Sequence, residues 1–415
     1  MATIRVYNVK HGDFILLRLD NDILVTRDFG SLDSYVNTCI NHQIIHCKHC
    51  IPFRFTQCHL WNCFGCQLHN EAILTHPHSD HYSGYKIMYN NGIRKIYDRA
   101  YVPYLDLKPI GASPSFHSQQ LKTALCFIAT MPVYKTIKVQ EWITVAPLMS
   151  TLSKQLIGVY QGCNAFNHWR PQGTVLWPPL PNDIYYTRRR KKLNDMLDIF
   201  SKDAKECADS VYGEISDILS SLFDKDNDIH GYDESNRNYD DFPFVDEDDK
   251  NDVLSKIKSL IDNIAGKCYN EENDAIEKMY YDFGTLIDNH SIAFSIEKED
   301  HAALFLSDFH DSSMNRMVNF LTSPNFTFIK SAHHGTRLGN KLDKDLQKAN
   351  PIADTMVHCC GPSMPTFNGP SYKYEKLASK IYCTDWNYSS SKWRHWPPTH
   401  QYVKFNSILF RDWIL

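Results

Sequence analysis

Residues 75–84, Thr-His-Pro-His-Ser-Asp-His-Tyr-Ser-Gly, constrain the fold of this chain more than any other segment. Six consecutive positions hold three histidines and one aspartate: His76, His78, Asp80 and His81. Neutral imidazole and carboxylate groups are the ligands that suit zinc, manganese and iron. The apolar run 72–74 leads directly into the segment, which predicts a buried strand ending in a ligand-bearing loop. We expect His76 and His78 to face one metal ion, and Asp80 and His81 to face a second.

The spacing of these ligands resembles the HxHxDH signature of the metallo-β-lactamase superfamily. Other segments resemble further elements of that superfamily, in the same order along the chain. These segments are Val9–Leu17 with its Gly12-Asp13 turn, Asp28-Phe29-Gly30, the strand Ala303–Asp308, and Phe328–Thr336. The last segment resembles one branch in particular, which includes the hydrolase domain of the competence DNA-uptake channel ComEC. Leu176–Pro179 and Asn289–Phe294 resemble elements of the same branch.

The resemblance implies an α/β fold of a particular kind, an αββα sandwich with metals at one edge of two mixed sheets. It also implies two divalent ions, Zn²⁺ or Mn²⁺, roughly 3.5–4 Å apart and sharing a hydroxide nucleophile. The implied metal ligands are His76, His78, Asp80, His81, His333 and Asp308, of which Asp308 bridges the two ions. The implied catalytic residues are Asp80, Asp308 and His334. His334 would contact a substrate oxygen or donate a proton. Either His333 or His334 can be the metal ligand, and the position at a strand end favours His333.

Two departures from the family pattern bear on the site. Most members of the superfamily have a ligand histidine in the region where Asn289 and His290 lie 19 and 18 residues before Asp308. Because imidazole binds these metals better than a neutral amide, we favour His290 as a ligand. The alternatives are ligation by Asn289, fewer protein ligands, or a His290 that points into the core. Near the C-terminus, Gly369 stands before Pro370 where the family usually has a histidine.

Length and composition are typical of a cytoplasmic enzyme. The chain has 415 residues, 43% of them hydrophobic, which is enough for a sizeable core. Its net charge of −4 argues against non-specific coating of nucleic acid, although it allows a local basic groove. No apolar run reaches the roughly 18 residues that a membrane span needs, and the N-terminus lacks a signal-peptide pattern. We therefore expect no membrane association.

Thirteen cysteines are many for a cytoplasmic chain, and six of them lie between residues 39 and 66. Two C-x2-C units in this stretch are separated by twelve residues: Cys47, Cys50, Cys63 and Cys66. Two such units can close a tetrahedral structural zinc site. The alternative is a cysteine-rich loop without metal. In either case, residues of about 36–68 are expected to form a small insertion.

A larger insertion is predicted at residues 183–282, between a first metallo-β-lactamase part at 1–182 and a second part at 283–415. Its apolar residues recur at steps of three, four and seven, which indicates amphipathic helices, the first of them over residues 193–222. Between them, residues 224–249 hold eleven acidic and two basic residues, which is typical of a solvated loop. We expect a helical hairpin that stands off the core and covers the site or binds a protein partner. The alternative is an insertion that packs on its own domain.

These patterns together predict a metal-dependent hydrolase. The resemblance to the ComEC-type domain implies a phosphodiesterase or nuclease that acts on nucleic acid or a nucleotide. One alternative is a hydrolase of an ester, thioester or lactone. Another is a partner-gated effector subunit of a multi-protein bacterial system, with the helical insertion as its docking element. The sequence does not indicate which residues bind substrate, and fold-level analogy does not separate these functions.

Overall fold

A computed structural model describes most of the chain. The described residues are 2–7, 9–34, 36–38, 69–108, 113–181, 183–223, 252–269, 274–299, 301–308, 317, 321, 325–335, 352–359, 378–384, 402–404 and 410–415. The four predicted zinc-binding cysteines lie outside them, as do the acidic loop and Gly369.

The first of two sheets has seven strands in the order β14-β1-β2-β3-β4-β5-β6. Its strands are β1 (Thr3–Tyr7), β2 (Phe14–Arg18), β3 (Ile23–Phe29), β4 (His69–Ile73), β5 (Tyr97–Pro103), β6 (Ser153–Val159) and β14 (Phe410–Ile414). The β14–β1, β1–β2 and β2–β3 pairs are antiparallel, whereas the pairs from β3 to β6 are parallel. The sheet is therefore mixed.

The second sheet also has seven strands, in the order β13-β12-β11-β10-β9-β8-β7. Its strands are β7 (Gln172–Trp177), β8 (Ala293–Lys298), β9 (His301–Phe305), β10 (Asn325–Lys330), β11 (Ile352–His358), β12 (Ala378–Cys383) and β13 (Tyr402–Lys404). β7, β8 and β9 pair antiparallel, and the pairs from β9 to β13 are parallel. Two mixed sheets with helices confirm the predicted α/β class.

Besides the helical residues at 34 and 36–38, seven α-helices accompany the sheets in the described residues. They are α1 (Ser79–Asn90), α2 (Phe116–Thr130), α3 (Ile137–Leu152), α4 (Ile184–Ile199), α5 (Lys202–Phe223), α6 (Val253–Asp262) and α7 (Asp274–Asp288). Three of them begin after a polar residue whose side chain accepts a hydrogen bond from a free backbone N–H of the first turn, at Ser115, Asp183 and Asp252. The predicted helix over residues 193–222 is two helices, α4 and α5, separated at Phe200 and Ser201.

Alternation along the strands builds two apolar cores. On β2, Ile15 and Leu17 belong to one core and Leu16 to the other. The first core joins the two sheets: Trp413 of β14 packs against Phe328 of β10 with ring centroids 5.2 Å apart. The second core buries the opposite strand faces against the helices.

The helices of residues 183–282 do not stand off the sheets, as the sequence led us to expect. Phe127 of α2 packs against three aromatic residues of this segment and its boundary, at centroid distances of 5.0–5.3 Å: Phe200, Tyr280 and Phe283. The apolar stripes of α4 to α7 lie in the same core cluster as α2 and α3. Helix α7 also continues through the predicted boundary at residue 282 to Asp288. The amphipathic pattern was therefore interpreted correctly, but the surface it buries belongs to the main fold.

No helix among the described residues has the length and apolarity needed to cross a bilayer.

Candidate metal centre

Strand ends and the first turn of α1 bring the predicted ligands together. His76 and His78 lie in the loop after β4, and Asp80 and His81 occupy the first turn of α1. Asp308 follows β9, and a 3-10 turn at Ala332–Gly335 follows β10. Because β9 and β10 are parallel neighbours, their carboxyl ends meet at one edge of the second sheet.

His76, His78 and Asp308 form the first group that can hold an ion. Their nearest ligand atoms all lie within 4.8 Å of one another, and Nε2 of His76 is 2.7 Å from Nδ1 of His78. His76 is fully buried. Burial, together with the nearby His76, lowers the pKa of His78 to about 3, so its imidazole stays in the neutral form that binds metals.

His81, Asp308 and His334 form a second group of the same size. Nε2 of His81 lies 3.4 Å from Oδ2 of Asp308, and Nε2 of His334 lies 3.6 Å from the same oxygen. Oδ2 of Asp80 is 2.9 Å from Nε2 of His334, and a third group joins these two residues to His11. Asp308 thus belongs to both the first and the second group, which is the position of a bridging ligand.

Hydrogen bonds at the outer ring nitrogens fix three of these histidines. Nδ1 of His81 lies 3.0 Å from Oδ2 of Asp28, and Nδ1 of His334 lies 2.8 Å from the carbonyl oxygen of Cys359. Since both partners only accept, each Nδ1 donates, and the Nε2 of each ring faces Asp308. The Ser291 hydroxyl donates to the Asp288 carbonyl and accepts from Nδ1 of His76, 3.0 Å away. This is the support that metal-binding histidines usually have.

The electrostatics of the centre favour a positive charge among these side chains. Burial opposes ionisation of Asp80 and Asp308, but His81 and His334 outweigh it and hold the pKa of both carboxyls well below the usual range. Burial also opposes protonation of His81 and His334, yet Asp308 and its neighbours raise the pKa of both imidazoles. In the described part of the chain, Nε2 of His78 and Oδ1 of Asp308 are buried and form no hydrogen bond. The nitrogen and oxygen donors, their burial and electrostatics that favour positive charge are all compatible with bound divalent ions.

A buried charge cluster lies beneath the centre. Nζ of Lys330 is 2.6 Å from Oδ2 of Asp13, and Arg27 reaches the same carboxylate at 3.1 Å and that of Asp28 at 3.2 Å. All four side chains are fully buried. Asp28 also accepts hydrogen bonds from the backbone N–H and the hydroxyl of Thr75, so the cluster holds the loop that carries His76.

Gly12 allows the loop before β2 to approach the start of α1. Its φ is 152°, and a Cβ there would lie 2.3 Å from the Gly30 carbonyl oxygen and 2.9 Å from that of Asp80. The next residue, Asp13, donates its backbone N–H to the Asp80 carbonyl at 2.8 Å. A side chain at position 12 would therefore displace the turn that orients Asp80.

The structure differs from the sequence expectations at the third motif. Nε2 of His290 is 3.0 Å from the Tyr104 carbonyl oxygen, and its Nδ1 lies 3.1 Å from the Tyr186 hydroxyl and 3.4 Å from His117. His290 is therefore engaged away from the clustered ligands. The side chain of Asn289 donates to the carbonyl of Thr285 on its own helix. Neither residue joins a group that can hold an ion.

The two adjacent histidines lie differently with respect to the ligand groups. His334 belongs to two of the described groups, whereas His333 belongs to none of them. Nδ1 of His333 still lies 3.4 Å from Asp308, but its side chain is 25% exposed against 4% for His334. Both residues adopt left-handed backbone conformations, with φ of 45° and 54°, which turn the two adjacent rings in different directions.

Sequence reasoning missed three residues that lie at or beside these groups. His11 and Asp28 lie inside segments that were recognised only by their resemblance to family elements, and Asp288, which contacts His76 and His78, lies directly before the two residues that were weighed as ligands. Only their residue types indicated such a role, because a histidine or an aspartate can bind a metal ion or orient a metal-binding side chain.

Comparison with the models of known protein families gives no match, and the curated proteins contain no similar sequence.

Proposed function

We propose that this protein is a metallo-β-lactamase-fold hydrolase that cleaves phosphodiesters with two divalent ions. The observation that carries the proposal is the position of Asp308, which belongs to two groups that can hold an ion, one with His76 and His78 and one with His81 and His334. The HxHxDH resemblance and the two mixed sheets support the αββα assignment. The expected Zn²⁺ or Mn²⁺ cofactors match the nitrogen and oxygen donors of the two groups.

His76, His78 and Asp308 would hold the first ion, and His81, His334 and Asp308 would hold the second. The motif resemblance adds Asp80 to the second set, and its carboxylate lies 2.9 Å from Nε2 of His334. When bound, the two ions supply an activated water molecule and stabilise negative charge on a phosphoryl oxygen.

The residues of the chain position these groups and move protons. Asp28 and the Cys359 carbonyl keep the Nε2 lone pairs of His81 and His334 directed at the centre. Asp80, whose carboxylate lies at the first turn of α1 next to His334, would orient the attacking water molecule. His333 is the more exposed of the two adjacent histidines, so we assign it the contact with a substrate oxygen and proton donation to the leaving group.

The phosphodiester assignment rests on the motif resemblance to the ComEC-type domain. A two-ion centre suits this reaction because it can stabilise both the attacking and the leaving oxygen. A nucleotide or a nucleic acid is the substrate class that we expect.

The test combines metal content with turnover. The purified protein is loaded with Mn²⁺ or Zn²⁺, and its ions per chain are counted by elemental analysis. It is then assayed with bis(p-nitrophenyl) phosphate, nucleotides and single- and double-stranded DNA, and separately with esters, thioesters and lactones. We expect two ions and hydrolysis of the phosphodiesters.

Asp308→Asn should lower turnover at least about 100-fold with an unchanged circular dichroism spectrum, because a ligand shared by both ions is lost. Asp354→Asn is the matched control, since Asp354 is an exposed residue on β11 of the same sheet. A protein that takes up no metal refutes the proposal. Turnover of esters or lactones alone would refute the phosphodiester assignment and keep the metal centre.

A further inference from the structure

Asp288 lies where the third-motif ligand was expected from Asn289 or His290. Its Oδ1 is 3.3 Å from Nε2 of His76 and 3.7 Å from Nε2 of His78. The side chain is 14% exposed, so it points inward from the end of α7. One carboxylate oxygen therefore faces both imidazoles of the first group.

The backbone after Asp288 is held in place by contacts on several sides. The indole N–H of Trp177 donates to the Asn289 carbonyl at 2.8 Å, and the backbone N–H of Ile292 donates to the Thr75 carbonyl at 2.9 Å. Ser291 joins the Asp288 carbonyl to His76. The segment from 288 to 292 is thus connected directly to the loop that carries His76 and His78. These contacts fix the position of Asp288 relative to the two histidines.

Helix electrostatics make this a costly place for a carboxylate. Asp288 is the last residue of α7, where the partial negative charge of the helix C-terminus disfavours an acid. Partial burial raises that cost, because the carboxylate loses contact with water. A cation held between Asp288 and the two imidazoles would offset this cost, because it would lie next to the carboxylate oxygen that faces both rings.

We propose that Asp288 is a ligand of the first ion, and that it biases this ion toward manganese relative to zinc. The inference rests on the proposed two-ion function and adds a residue that the family signature does not supply. The first ion then has two nitrogen donors, His76 and His78, and two carboxylate donors, Asp288 and Asp308. A histidine in place of Asp288 would give three nitrogens and one fewer negative charge. Carboxylates suit Mn²⁺, whereas imidazole suits Zn²⁺. A site with Asp288 should therefore prefer Zn²⁺ over Mn²⁺ by a smaller ratio of dissociation constants than a site with a histidine in its place.

The experiment measures metal binding and does not depend on turnover. Mn²⁺ is titrated into metal-free protein, and the six-line electron paramagnetic resonance signal of the free ion gives the number and affinity of bound ions. Competition with Zn²⁺ then gives the ratio of the two dissociation constants. The proteins are the wild type, Asp288→Asn, Asp288→His and the control Asp282→Asn. Asp282 lies on the same helix, but its side chain is 48% exposed and pairs with Lys192.

We expect Asp288→Asn to weaken one of two Mn²⁺ sites at least about tenfold and to leave the other unchanged. Asp288→His should restore an ion at that site and move the preference toward Zn²⁺ by at least about tenfold relative to the wild type. Asp282→Asn should match the wild type. The histidine variant keeps the test decisive if the asparagine variant folds poorly, and circular dichroism monitors both.

Two equally tight Mn²⁺ sites in Asp288→Asn, together with an unchanged metal preference in Asp288→His, overturn the inference and leave the proposed function standing. A wild type that binds no ion overturns both. A wild type that binds two ions but hydrolyses no phosphodiester overturns the proposed activity alone, since the ligand role of Asp288 is read from binding.

Discussion

Lys330→Met tests the buried charge cluster beneath the metal centre. Asp13 and Asp28 contribute two negative charges, and Arg27 and Lys330 contribute two positive ones, so the cluster is neutral as a whole. Removing the ammonium group, 2.6 Å from Asp13, leaves one uncompensated negative charge among fully buried side chains. Loss of one partner of such a pair costs about 3–5 kcal/mol of unfolding free energy. Because Arg27 remains 3.1 Å from Asp13, we expect a loss near the lower end, about 3 kcal/mol.

The pH dependence of this variant follows from the pKa of Asp13. Burial raises that pKa, but Lys330, His81 and Arg27 outweigh burial and hold it well below the usual carboxyl range. A carboxyl whose pKa is lowered by folding stabilises the folded state above its unfolded pKa, and this contribution is lost as the pH falls toward the folded pKa. Lys330 is the charge that lowers the pKa most. In Lys330→Met the pKa should rise toward that of the unfolded chain, so the stability difference from the wild type should be largest near neutral pH and should shrink as the pH falls toward the wild-type pKa of Asp13.

Urea unfolding in the presence of a chelator measures the change in unfolding free energy caused by Lys330→Met without a contribution from bound metal. Asp13→Asn should also be destabilised, whereas the double variant Asp13→Asn/Lys330→Met is again neutral and should lose less than the sum of the two single losses. Lys298→Met is the matched control. Its pair with Asp20 has nearly the same length, 2.7 Å, but the side chains are 31% and 28% exposed, so the expected loss is below about 1 kcal/mol. The reasoning would be refuted if either single variant lost as little unfolding free energy as the Lys298→Met control. It would also be refuted if the loss in the double variant equalled the sum of the two single losses.

His290→Gln should keep two bound ions, because both ring nitrogens of His290 are engaged elsewhere; loss of an ion by elemental analysis would restore its role as a ligand. Burial lowers the pKa of His290 to about 4, so the folded state disfavours the charged form, and stability is lost as the pH falls from about 6.5 toward 4. In the presence of a chelator, the free energy of unfolding should fall by up to about 3 kcal/mol less in the variant than in the wild type over this pH range. An equal fall in both proteins would contradict that account. Replacing residues 183–282 with a Gly-Ser linker should abolish the cooperative thermal transition, since it exposes the apolar face around Phe127; a soluble protein that keeps its metals would instead show a separable insertion. Gly12→Ala should weaken metal binding by about tenfold or more, because its Cβ would meet the backbone near Asp80; wild-type affinity by calorimetric titration would count against this.

The sequence by itself determined the local features of this protein. The apolar run before His76 predicted a strand that ends in a ligand loop, and β4 ends at Ile73, immediately before that loop. His76, His78, Asp80 and His81 were found because all four lie within six positions, where the backbone alone keeps them close. The apolar steps of three and four likewise predicted helices in residues 183–282, although not the break between α4 and α5. Asp308 depended on a further signal, its place at the end of an apolar strand.

Tertiary structure decided which side chains meet and in which direction they face. Asp288 lies 212 positions from His76, and Lys330 lies 317 positions from Asp13, so only the pairing of strands and the packing of α7 bring them into contact. The orientation of His333 and His334 depends on two left-handed residues in a tight turn, which no periodicity encodes. The helices of 183–282 show the same limit: a pattern of apolar residues indicates that a face is buried, but the covering surface is supplied by α2 and α3. Sequence patterns report local periodicity and residue chemistry, whereas partners distant along the chain are selected by the free energy of the whole packed fold.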